Sequence, residues 1–129
     1  MAKYEVTVKE FAQLVNATSH KVPRQCIQIA GKPWFASMAG SYNENTLSRS
    51  RFEPVTCIGP KDAEAYIQWM AKETGKKYRL PTAAEWEYAH RAGSPHKYPF
   101  GNNELLACRY GNIADRSSEA AIKRDYDGL

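Results

Sequence analysis

Between Thr7 and Ala17 the apolar residues Val8, Phe11, Ala12 and Val15 recur every three or four positions, which gathers them on one face of a helix. Thr7 and Glu10 stand at its start with the spacing of a capping box, in which a hydroxyl and a carboxylate satisfy the first unpaired N–H groups. A helix is therefore expected to open at Thr7. A second such pattern runs from about Pro60 to Thr74, with Gly59 ahead of it, proline in its first position and Gly75 as its stop. Ala63, Tyr66, Ile67 and Met70 form its expected buried stripe. The third helix opens just after Pro81, a proline that holds Leu80 out of the helical region. Thr82 and Glu85 repeat the capping box there, and Ala83, Trp86, Ala89 and His90 fall at core-like spacing before Gly93.

The remaining segments read as extended chain or turn. Lys3-Tyr4-Glu5-Val6 alternates polar and bulky residues, the pattern of the end of a strand begun earlier. From Thr18 to Pro54 prolines, glycines and a polar run from Ser41 to Ser50 predict loop with one or two short strands, such as Cys26-Ile27-Gln28-Ile29. Lys76 to Leu80 is expected to be a short extended segment, and the chain after Gly93 to be turns followed by a polar tail. So long an irregular stretch is unusual in a compact domain unless the fold keeps its function in loops.

At 129 residues, with 43% hydrophobic and 25% charged positions, the chain suits one domain or part of one. It has no apolar run of the roughly 18 residues that a membrane-spanning helix needs and no secretion-signal pattern at its start, so no membrane partner is expected and a cytoplasmic setting is the default. The net charge of +4 is spread among acidic residues, which argues against nucleic acid as a partner, because that needs a clustered basic face. Arg49, Arg51, Lys76, Lys77 and Arg79 accordingly read as solvated surface. Cys26, Cys57 and Cys108 are far apart and odd in number, giving neither a metal knuckle nor a paired framework. They are expected to be idle thiols in a reducing compartment. His20, His90 and His96 share no ligand spacing and read as surface or packing residues. Glu85 and Glu87, two apart on a helix, point to different sides and form no acid pair.

The segment Tyr78-Arg79-Leu80-Pro81-Thr82-Ala83-Ala84-Glu85-Trp86-Glu87-Tyr88-Ala89 resembles the most distinctive stretch of the formylglycine-generating-enzyme/sulfatase-modifying-factor family. Tyr4-Glu5-Val6-Thr7, Pro54-Val55, Asp62-Ala63-Glu64-Ala65-Tyr66, Tyr98-Pro99-Phe100-Gly101 and Asn112-Ile113 extend the resemblance in the same order. It implies an α+β fold, a loop-rich variant of the C-type-lectin-like fold with two to three helices and short antiparallel strands. Residues 1–129 would then be a single partial domain, truncated at both ends. In that domain Trp86 would anchor the third helix through its large apolar area.

The resemblance also implies chemistry. Family enzymes hold copper on two cysteines near the C-terminus and use oxygen to oxidise a sulfatase cysteine to formylglycine; soft thiolates suit Cu(I). Those cysteines lie beyond a motif that this sequence does not reach, so none of the cysteines here is expected to be catalytic and copper belongs only to a full-length enzyme. Family members also carry structural calcium. Asn112-Ile113 and Asp127-Gly128-Leu129 match one such site, with side-chain oxygens of Asn112 and Asp127 and carbonyls of Ile113 and Leu129 as hard donors. Water or other residues would complete the roughly six to eight oxygens that calcium takes. Two further readings accompany the enzyme fragment. One is a non-catalytic lectin-like module binding a ligand or protein through the loops between Thr18 and Pro54; the other is an iron-dependent sulfur-transfer enzyme, which would need a histidine-bearing domain not present here. As a fragment, the chain would self-associate or need its missing C-terminal part, since apolar stripes would otherwise stay uncovered.

Overall fold

A computed structural model describes residues 2–29 and 35–111. The chain divides into two compact units, Met1–Arg79 and Leu80–Leu129. It is α+β, as expected, with helices and, among the described residues, one two-stranded antiparallel sheet.

The first unit contains helix α1 (Val8–Thr18), strands β1 (Gln25–Ile29) and β2 (Phe35–Ala39), and helix α2 (Pro60–Thr74). The capping box at α1 forms as the sequence predicts: the Thr7 N–H donates to Glu10 Oε2 at 2.8 Å and the Glu10 N–H donates to Thr7 Oγ1 at 3.2 Å. Hydrogen bonds from the Thr7 backbone, and then from its hydroxyl, hold the Glu10 carboxyl below its ordinary pKa. Because the folded pKa is the lower one, this contribution to stability is present above the ordinary carboxylate pKa and is lost as pH falls through the depressed value. The helix ends at Ser19, whose N–H still binds the Val15 carbonyl and whose left-handed φ of 55° turns the chain out of the helix.

The segment ahead of α1 is not the expected strand. Thr7 makes an isolated bridge to Pro54, and Val55 N–H donates to Val6 O at 2.8 Å. Pro54 has no N–H to extend a ladder, and the next donors belong to the helix: Val8 and Lys9 N–H groups bind the carbonyls of Glu53 and Arg51. The 51–55 segment thus closes over the helix start.

Phe11 and Leu14 are almost fully buried and, with Val8 and Tyr42, form the core. The Phe11 ring lies 5.2 Å from Tyr42 and 6.0 Å from Tyr66, and Tyr66 in turn lies 5.7 Å from Trp69. Burial pushes the Tyr66 hydroxyl pKa upward. The ends of α2 fall at Gly59 and Gly75 as predicted, the latter in the left-handed conformation, but its inward face is turned from the predicted one. Ala63, Ala65, Tyr66, Ile67, Trp69 and Met70 are all half-buried, but Ala65, Tyr66 and Trp69 pack against the core cluster, whereas Ala63, Ile67 and Met70 are not among the residues that do. The indole of Trp69 offers more apolar area than Met70 or Ile67, and Asp62 is drawn inward at the helix start.

Strands β1 and β2 pair antiparallel with Gln25 opposite Ala39 and Ile29 opposite Phe35, confirming extended chain around Cys26. Gln28 is buried, donating from Nε2 to the Ala39 carbonyl at 2.9 Å and accepting at Oε1 from the Thr46 N–H at 2.8 Å. Beyond the sheet, Asn45 Oδ1 accepts from the N–H groups of Leu47 and Ser48, which shapes the loop.

The second unit contains helix α3 (Ala83–Arg91) and a 3-10 helix, Glu104–Arg109. Thr82 and Glu85 form the predicted capping box, and Arg91 Nε donates to Glu87 Oε1 at 2.6 Å one turn away. The expected core positions Ala83, Trp86, Ala89 and His90 are all exposed. Trp86, 51% exposed, stacks on His90 at 4.9 Å and does not anchor the helix in a core. Capping and the one-turn ion pair hold α3, so its apolar spacing carries no burial with it. Among the described residues of this unit no side chain is buried. Tyr98 and Gly101 exchange backbone hydrogen bonds across a turn, and the rings of Tyr98, Phe100 and Tyr110 stack in sequence. The 3-10 helix, capped by the Asn103 side chain on Leu105 N–H, replaces part of the expected turn and polar tail.

Candidate functional site

The expected calcium donors Asn112, Ile113, Asp127 and Leu129 lie outside the described residues. Among the described residues no group of three or more His, Cys, Asp or Glu side chains could hold a metal ion.

The cysteines depart from expectation. Cys26 in β1 and Cys57 ahead of α2 form a disulfide, their Cα atoms 5.3 Å apart across a separation of 31 residues. Two of the three expected idle thiols are therefore a bonded pair, because the hairpin carries Cys26 back to the segment that enters α2. Cys108 sits exposed in the 3-10 helix. A disulfide has no thiolate to offer, so Cys26 and Cys57 do not fit a copper site.

A histidine pairing also escapes any reading by spacing. His20, just after α1, places Nε2 2.7 Å from Asp62 Oδ1, a partner 42 residues away. The other carboxylate oxygen of Asp62 accepts the Gly59 N–H at 2.7 Å, capping α2 where glycine has no side chain to do so. One buried carboxylate thus joins the end of α1 to the start of α2. Asp62→Ala is expected to cost about 1–3 kcal/mol, since it removes a cap and leaves His20 and the Gly59 N–H without this acceptor. Urea denaturation of the variant checks this, and His20→Ala should cost less because the cap survives.

In the distinctive segment from Tyr78 to Ala89 the two glutamates have separate partners. Glu85 is engaged in capping and Glu87 with Arg91. Just before it, an open groove at the end of α2 is lined by Ala71, Gly75, Lys76, Lys77, Tyr78 and Arg79. His96 Nδ1 accepts from the Asn102 side-chain amide N–H, 3.3 Å away, in a solvent-exposed turn. No helix among the described residues is long and apolar enough to cross a membrane.

Similarity to known proteins is concentrated in one family. The chain is 30% identical over 141 residues to the formylglycine-generating enzyme of Bos taurus, covering 88% of this chain and 36% of that protein. It is 34% identical over 123 residues to the formylglycine-generating enzyme of Streptomyces coelicolor, covering 75% of this chain and 37% of the relative. Over 50 residues it is 44% identical to the inactive C-alpha-formylglycine-generating enzyme 2 of Bos taurus, covering 38% of this chain and 15% of that protein. The chain thus spans little more than a third of the length of these two formylglycine-generating enzymes. Residues 1–126 match the model of the sulfatase-modifying factor enzyme 1-like domain, and the chain belongs to that family.

Proposed function

We propose that this chain is the front portion of a formylglycine-generating domain whose full length oxidises a sulfatase active-site cysteine to formylglycine, and that the chain alone is inactive. The supporting observation is the family match over residues 1–126 together with relatives that are formylglycine-generating enzymes. In this reading copper is held by cysteines of the full-length protein, because the Cys26–Cys57 bond leaves this chain without a thiolate pair. The fold is the lectin-like variant that the sequence motifs imply. The exposed aromatic side chains of α3, Trp86 and Tyr88, are covered by the remainder of the domain or by self-association. A disulfide also suits an oxidising compartment better than the cytoplasmic default.

The deciding experiment offers a sulfatase-derived cysteine peptide, with oxygen and copper, to the full-length polypeptide and to the chain of residues 1–129. Mass spectrometry should find the aldehyde only with the full-length protein. No aldehyde from the full-length protein would leave the second reading, a non-catalytic module binding a ligand or protein through the loops between Thr18 and Pro54. An inactive C-alpha-formylglycine-generating enzyme 2, 44% identical over 50 residues, keeps that alternative in view, although a formylglycine-generating enzyme matches equally well at 43% over 51 residues.

Calcium has a structural part in the same proposal. Asn112 and Asp127 would supply side-chain oxygens and Ile113 and Leu129 carbonyls, a donor set suited to a hard cation. A cation bound only by the folded state raises the melting temperature. Thermal melts in calcium should therefore exceed those in chelator by a few degrees, and Asp127→Ala should erase the difference. Equal melts at saturating calcium would remove the site.

A further inference from the structure

The β1–β2 hairpin is attached to the first unit differently from everything else in it. The apolar cluster around Phe11 draws on α1, α2, Val6, Val22, Tyr42, Val55 and Ile58, and includes no described side chain of β1 or β2. Alternation along β1 turns Gln25 and Ile27 outward, with Ile27 65% exposed, and turns Cys26 and Gln28 inward. Opposite them, Met38 faces Cys26 and Ala36 faces Gln28. On β1 the inward face therefore carries a sulfur and an amide, and the apolar residue opposite Cys26, Met38, is itself 37% exposed. The Gln28 amide is used partly inside the hairpin, on Ala39, and partly on the Thr46 N–H. The link to the segment entering α2 is the covalent bond between Cys26 and Cys57. A two-stranded sheet without a packed apolar face is marginal in water.

Cys57 adds a second, independent observation. Its φ of 57° lies in the left-handed region, which costs a non-glycine residue and persists where the surroundings over-determine it. Once the bond to Cys26 is broken, one constraint on that conformation is gone.

We propose that the Cys26–Cys57 disulfide is a redox latch: a dithiol reductant opens it and releases the β1–β2 hairpin from the helical body, while the α1–α2 core stays folded. The exchange is balanced. A thiolate of the reductant attacks one protein sulfur and displaces the other as a thiolate, forming a mixed disulfide. The second thiol of the reductant then displaces the remaining protein sulfur. Two electrons pass to the protein, which gains two protons and leaves Cys26 and Cys57 as thiols, while the reductant leaves as its own disulfide.

Hydrogen exchange followed by mass spectrometry tests this on the natural full-length polypeptide, oxidised and then treated with dithiothreitol. Peptides covering Gln25–Ile29 and Phe35–Ala39 should exchange about tenfold faster or more after reduction, with α1 amides unchanged, as expected for a local opening. The Cys26→Ser/Cys57→Ser protein should show the fast hairpin without reductant and no further response to it. Unchanged hairpin protection after reduction, or in the double variant, would overturn the proposal. So would loss of α1 protection together with the hairpin, because the bond would then be a staple of the whole unit.

Discussion

Phe11→Ala is expected to destabilise the first unit by about 3–5 kcal/mol, the usual cost of removing a buried aromatic ring. Phe11 is 1% exposed and its ring joins α1 to Tyr42 of the loop and Tyr66 of α2. The cavity left behind would be bounded by aromatic rings and by Leu14, none of which can collapse into it without moving a helix. Marginal domains have only about 5–15 kcal/mol in total, so the variant should be largely unfolded at modest urea concentrations. Circular dichroism during urea titration measures this. A midpoint within the error of the parent would mean that the core is not organised around this ring. Leu14→Ala should follow with a smaller loss, about 2–4 kcal/mol, since it removes fewer atoms from the same cluster.

The second large effect comes from a glycine. A methyl group on Gly40 would collide with Gln28 Nε2 and stand 2.8 Å from the Glu44 carbonyl oxygen. Nε2 is the atom that binds the Ala39 carbonyl, so it cannot retreat without giving up a buried hydrogen bond. The Gly40 N–H is itself held by the Arg24 carbonyl at 3.0 Å, which limits retreat on the other side. Gly40→Ala is expected to cost about 1–3 kcal/mol through overpacking and the lost bond. The effect should be strongly non-additive with Gln28→Ala, which clears the colliding amide while leaving the Ala39 carbonyl and Thr46 N–H without this partner. A double-mutant cycle reads the coupling directly, and simple additivity of the two costs would contradict the clash as its cause.

What was legible in the sequence was local. Thr7 with Glu10, Gly59 with Pro60 and Gly75, and Thr82 with Glu85 marked helix ends correctly because a cap is made by residues three or four apart. Burial was less legible. The spacing of Ala83, Trp86, Ala89 and His90 is that of a core face, yet those side chains are exposed, since periodicity shows which residues share a face and not whether anything covers it. The same limit misplaced the α2 stripe, where Trp69 took the place expected of Ile67 and Met70. Pairings between distant residues left no signal at all. Nothing in the order of residues links Cys26 to Cys57, or His20 to Asp62, until the hairpin and the two helices bring them together. The family, by contrast, was legible from the Tyr78–Ala89 segment and its companions, and the match over residues 1–126 bears that reading out.

The lack of any buried side chain among the described residues of the second unit bears on cooperativity. A helix of nine residues, with its caps and the Glu87–Arg91 ion pair, sits below the length at which a helix is stable in water without packing. In this chain its melting should follow helix–coil statistics, with fraying from the ends that grows gradually with temperature. The Phe11 core should instead be lost in a single sharp transition. Probes placed on Trp86 and on Tyr42 would then trace different curves, and a single melting temperature would describe the first unit alone.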